Sequence, residues 1–124
     1  MLNFTKKYIK KPSAFAGSLE TMTVYEHNNG EQVVMDFPDM FSDNMNYIGC
    51  HFESGRSVSV EVKGSVIKVS TNDDFRTRDF AEHSGWKSNP SLLTKIYLRW
   101  ALSRYLTANE LEALQDAVLS EIKH

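Results

Sequence analysis

From Ser57 to Ser70 apolar and polar side chains alternate about a short turn. Val58, Val60 and Val62 are separated by Ser59 and Glu61, and Lys63-Gly64-Ser65 leads into Val66-Ile67-Lys68-Val69-Ser70. A period of two puts the valines on one face of a strand and the polar groups on the other, so this chain must lay one side of a sheet on a core. Upstream, Thr23-Val24-Tyr25 and Gln32 to Phe37 flank Asn28-Asn29-Gly30, and Asn-Gly supplies the positive φ angles of a tight hairpin. Met45 to Glu53 forms a further apolar-rich run that Ser54-Gly55-Arg56 interrupts. Five strands in an antiparallel meander are expected. Residues 72–90 read as polar and irregular, with room for one short helix between the cap at Asn72-Asp73-Asp74 and the stop at Gly85.

From Asn89 the pattern changes. Asn89-Pro90 sets a capping side chain before a proline suited to the first helical position, and Leu92 to Leu106 is rich in Leu, Ala, Lys and Arg. Thr107-Ala108-Asn109-Glu110 matches a capping box, and Leu111, Leu114, Val118 and Ile122 follow at helical spacing. The expected class is α+β: a five-stranded antiparallel β-meander, then a C-terminal α-helical hairpin packed on the sheet. An alternative exists, because Ile96, Leu98, Trp100, Leu102 and Leu106 occupy alternate positions. Residues 95–106 then form a sixth strand with one C-terminal helix. As a helix, 92–106 is apolar nearly all round, which calls for burial on several sides.

At 124 residues the chain has the size of one domain, read as a basic N-terminal arm over 1–12 and a single α+β domain over 13–124. Met1-Leu2-Asn3-Phe4-Thr5 lacks the apolar run of a secretory signal, and no stretch approaches the roughly 18 apolar residues of a membrane span. A cytoplasmic location is expected. The single cysteine, Cys50, excludes an internal disulfide and every multi-cysteine zinc pattern; it reads as a buried, inert thiol.

The net charge of −2 hides segments of opposite sign. Lys6, Lys7, Lys10 and Lys11 give the first eleven residues +4, whereas residues 12–55 carry seven carboxylates and neither Lys nor Arg. Residues 56–104 hold nine basic and five acidic side chains. Such polarity shapes where a partner docks, without naming it.

Catalytic signatures are missing from the linear sequence. His27, His51, His83 and His124 show no paired spacing, and Cys50 and His51 point to opposite faces if on a strand. Asp36, Asp39 and Asp43 lack the alternating oxygens and central Gly of a calcium loop. No Gly-rich phosphate loop or nucleophile elbow occurs, so no cofactor and no metal are expected. A site distributed over distant segments escapes such a search.

Two clusters read as binding surfaces. Phe75, Arg76, Arg78 and Phe80, continued by Trp86 and Lys87, mix aromatic and basic groups of the kind that dominate interfaces. The lysines of the arm form the second. Together these point to a non-catalytic protein-binding module of inhibitor or immunity style, self-associating as a homodimer, with another protein as partner. The alternative is single-stranded nucleic-acid binding, with Tyr25, Tyr47, Phe52 or the Phe75 to Trp86 cluster stacking bases beside the basic arm.

Overall fold

The computed structural model describes residues 3–12, 19–37, 47–63, 66–71, 75–79 and 90–121. Seven strands, β1 (Phe4–Pro12), β2 (Leu19–His27), β3 (Gln32–Asp36), β4 (Tyr47–Phe52), β5 (Ser57–Lys63), β6 (Val66–Thr71) and β7 (Phe75–Asp79), precede helices α1 (Pro90–Leu102) and α2 (Ala108–Glu121). The strands form one antiparallel sheet in chain order, β1 to β7. The α+β meander with a C-terminal helical pair is therefore as expected, and residues 90–102 are helix.

The sheet is wider than its alternating segments announce, because a strand is added at each edge. Residues Phe4–Pro12, read from sequence as an arm, pair with β2 along their whole length, from Phe4↔His27 to Pro12↔Leu19. Phe75–Asp79, read as irregular or helical, pairs with β6. Both edges lack apolar alternation because they carry the chain's basic clusters. A charged edge resists pairing with the edge of another molecule. Replacing Lys6, Lys7 and Lys10 together by threonine is accordingly expected to give concentration-dependent fibrillar aggregation by thioflavin fluorescence, with the monomer fold kept by circular dichroism.

The basic and acidic segments meet inside the molecule. Lys7 Nζ lies 2.8 Å from Glu26 Oε1, and Lys11 stands opposite Glu20 in the register. Hydrogen bonds from Lys7 and Gln32 hold the Glu26 carboxyl below its ordinary range. Part of the polarity read from sequence is thus satisfied within the sheet and is not left for a partner.

Two hairpin turns have the same build. Glycines at φ 95°, Gly30 and Gly55, close the loops after β2 and β4, and His27 and Phe52 each donate a backbone N–H to the carbonyl of the residue just before the next strand, Glu31 (2.8 Å) and Arg56 (2.9 Å). A three-residue loop with glycine in the left-handed region suits the twist of the flanking strands.

Both loops support α2. The capping box forms as its sequence requires: Glu110 N–H donates to Thr107 Oγ1 (3.1 Å), and Thr107 N–H donates to Glu110 Oε1 (2.9 Å). Glu110 also accepts from Ser54 Oγ (2.6 Å) and from Arg56 Nη1 (3.0 Å) on the β4–β5 side, while Asn29 Nδ2 of the β2–β3 loop donates to Asn109 O and Glu112 Oε1, each at 3.0 Å. Burial opposes ionisation of Glu110, but bonds from Ser54 and Thr107 and the charge of Arg56 outweigh it and keep the carboxyl below its ordinary value of 4.5.

One face of the sheet and one face of the helix pair make the core. Val33, Ile48, Cys50, Phe52, Val58, Val60, Val62, Ile67 and Val69 meet Leu98, Leu102, Leu106, Ala113, Leu114, Ala117 and Val118. Gln115, itself buried, ties the helices together by donating to Lys95 O (2.9 Å). The other face of the central strands is polar, as the period of two demands.

Candidate functional site

Two surfaces carry chemistry that the core does not explain, one on each layer. On the helix layer, α1 buries Tyr97, Leu98, Ala101 and Leu102 but turns Leu92, Ile96 and Trp100 to solvent at 51%, 53% and 63% exposure. The four-residue spacing stacks them into one stripe. This corrects the expectation that an all-round apolar helix is buried on several sides. Beside the stripe, a groove of about 470 Å³ runs between α1 and α2, walled by Lys95 and Arg99 on one side and by Leu111 and Glu112 on the other.

On the open face of the sheet, three strands bring Asp36, His51 and Ser57 into one line. Ser57 stands directly opposite His51 in the β4–β5 register. Asp36 stands opposite Gly49, one step along the same face of β4. His51 Nε2 lies 2.5 Å from Asp36 Oδ2, and His51 Nδ1 lies 2.9 Å from Ser57 Oγ. In the arrangement where Asp36 is a carboxylate, which can only accept, and the imidazole carries one hydrogen, that hydrogen is on Nε2 and is donated to Asp36. The lone pair of Nδ1 is then free to accept from the Ser57 hydroxyl. A shallow depression of about 210 Å³ surrounds the group, with Tyr47, Ser59, Ser70 and Gly49 in its lining. Gly49 is its floor: a Cβ there would stand 3.2 Å from the Tyr47 hydroxyl and 3.3 Å from Asp36 Cβ.

A second His–Asp pair has a different character. His27 Nε2 meets Asp116 Oδ2 at 2.6 Å, but its Nδ1 accepts the Asn29 backbone N–H at 3.1 Å. Both ring nitrogens are engaged, the residue is 4% exposed, and Phe4 packs edge-on at 4.9 Å. It fastens β2 to α2. Cys50, on the core side of β4, is pushed up to about 12 by burial and by the Asp36 charge, so its thiol stays protonated and inert. That agrees with its sequence reading.

The chain matches the family model described as Phage Gp30.7 protein over residues 1–123. It belongs to that family. A relative from Enterobacteria phage T4, described as an uncharacterized 14.1 kDa protein in the Gp30-rIII intergenic region, is 37% identical over 121 residues, covering 97% of this chain and 95% of the relative. No solved structure matches.

For this member of the Gp30.7 family, the residues singled out by sequence are dispersed. Lys6, Lys7, Lys10 and Lys11 lie in edge strand β1, where Lys6 Nζ sits 5.7 Å from the centroid of the Tyr8 ring. Phe75, Arg76 and Arg78 belong to the opposite edge, β7. Phe80, Trp86 and Lys87 lie outside the described residues. Of the proposed base-stacking aromatics, Phe52 is buried in the core; Tyr25 packs edge-on against Phe37 at 6.2 Å. Tyr47 lies on the open face. Among the described residues no group of three His, Cys, Asp or Glu side chains could hold a metal ion, and no helix is long and apolar enough to cross a membrane.

Neither surface is marked in the linear sequence. The stripe of α1 was hidden by its neighbours, since a helix apolar at almost every position gives no contrast between inner and outer faces. The three-residue line was hidden by distance, with Asp36 and His51 separated by 15 positions in the chain.

Proposed function

We propose that the chain is a protein-binding module that self-associates as a two-fold dimer through α1. The observation that carries this reading is the exposed Leu92, Ile96 and Trp100 stripe, since three large apolar side chains aligned on one helix face mark an interface rather than a solvated surface. The 13 residues of α1 span about 20 Å. A second α1 laid across the groove sets its stripe against Leu111 and its Lys95 and Arg99 near Glu112. A two-fold axis makes each such contact twice.

Nucleic-acid binding has weaker support. The basic residues sit at opposite edges of the sheet and Lys7 is neutralised by Glu26, whereas a backbone footprint calls for a continuous basic stripe. An inhibitor-type role, capping another macromolecule, would use the same helix face.

Sedimentation at about 100 μM should show a dimer, a modest demand for an interface burying about 800 Å² per partner. Trp100→Glu should yield a folded monomer. A monomeric parent chain at that concentration, or an unchanged dimer in Trp100→Glu, would overturn the reading.

A further inference from the structure

We propose that Ser57 is a nucleophile for acyl transfer, with His51 as its general base, Asp36 as the group that orients the imidazole, and small carboxylic esters as the class of substrate. The inference goes beyond self-association and is independent of it, since the helix stripe and this site lie on opposite sides of the sheet.

Three requirements of such a site are met by the geometry. The nucleophile must hydrogen-bond to the base and the base to an orienting group; the distances are 2.9 Å and 2.5 Å. The base must hold its lone pair toward the hydroxyl, and the carboxylate fixes that tautomer. The ring is used in the opposite sense from the familiar serine hydrolases, Nε2 to the acid and Nδ1 to the serine, but either nitrogen can take the proton. Finally, the reacting carbon needs room beside Oγ. The depression lined by His51, Ser57 and Ser59 leaves that room, while the Tyr47 hydroxyl and Asp36 stand over Gly49, where a Cβ would press on them. His27 spends its second nitrogen on a backbone N–H, whereas His51 offers its own to a hydroxyl.

In the reaction, Ser57 Oγ bonds to the ester carbonyl carbon as its proton passes to His51 Nδ1. The resulting imidazolium is stabilised by Asp36. Collapse of the tetrahedral adduct breaks the bond to the alcohol oxygen, which leaves with the proton from Nδ1. Water then attacks the acyl-serine, giving its proton to Nδ1, and the carboxylic acid departs as the proton returns to Oγ. Inner-strand amides are engaged in the ladder, so the developing oxyanion must draw on side-chain hydroxyls, of which Tyr47 borders the Gly49 floor. A depression of about 210 Å³ is below the roughly 300–1,000 Å³ usual for ligand pockets. It suits a short acyl group with the alcohol portion in solvent. His51 and Asp36 side chains are 46% and 58% exposed, so solvent screens the relay and turnover is expected to be slow.

The test uses the full chain with p-nitrophenyl acetate, following p-nitrophenol release and locating the acetyl group by peptide mass mapping. One acetyl group on Ser57 is expected. Ser57→Ala should abolish that adduct, and His51→Gln should slow its formation by about 100-fold, within the range of general-base catalysis. Tyr47→Phe should slow it less and leave the fold unchanged. His51→Gln alters an exposed position and Ser57→Ala a half-buried one, and matching circular dichroism confirms that each variant is folded. Acetylation confined to lysines, or acylation of Ser57 at an unchanged rate in His51→Gln, would overturn the assignment.

Discussion

Glu110→Ala is expected to lower the unfolding free energy by about 2–3 kcal/mol, since it removes a helix cap worth about 1 kcal/mol and strands buried donors that cost a further 1–2. Glu110 is 1% exposed and accepts from Ser54, Arg56 and Thr107 together. Arg56 is 40% exposed at its side chain, so it can turn to water once its partner is gone, which keeps the loss below that of a fully enclosed pair. Glu110→Gln separates the components. Glutamine also serves in a capping box, so it keeps the bond to Thr107 and loses the charge pairing, at a cost of about 1 kcal/mol.

The pH dependence follows from the same residue. A carboxyl held below its ordinary value of 4.5 in the folded state binds more protons when unfolded. Its contribution is complete above the ordinary value and is lost as pH falls through the folded one. Urea unfolding of the parent chain should therefore weaken on acidification below about pH 4.5, and Glu110→Gln should flatten that decline. Equal acid sensitivity in the two proteins would show that other carboxylates carry it.

The second large effect is at Leu98. Leu98→Ala should cost about 2–5 kcal/mol, because the side chain is fully enclosed and its removal leaves a cavity, whereas Ile96→Ala, measured below the dimerisation range, should cost under about 1 kcal/mol. Leu98 is 0% exposed and Ile96 is 53% exposed. In a strand the two would share a face and respond alike. In α1 they lie 200° apart at 100° per residue, so unequal losses report the helix directly. Chemical denaturation curves for the two variants make the comparison.

Local chemistry made several elements legible. The Thr107 to Glu110 box needs only backbone donors within one helical turn, so four residues sufficed to place the start of α2. The turn at Ser54-Gly55-Arg56 likewise fixes more than a reversal. Once Phe52 and Arg56 close it, His51 must face Ser57 and Gly49 must face Ser59, so half of the candidate site was implicit in a tight hairpin. Alternation identified the valines of β5 as core.

The edge strands were less legible, because lysines in β1 and arginines in β7 erase the hydrophobic period that announces a strand. Their pairing depends on the neighbouring strand rather than on their own sequence. The class of the fold, the starting point of α2 and the inward face of β5 were determined by the sequence itself, through interactions between residues a few positions apart. The approach of Asp36 to His51, the exposure of the α1 stripe and the meeting of Lys7 with Glu26 were decided by the tertiary structure. Each depends on how separate segments are placed in register or packed on a layer, a choice made by the core as a whole and not by local conformational preference.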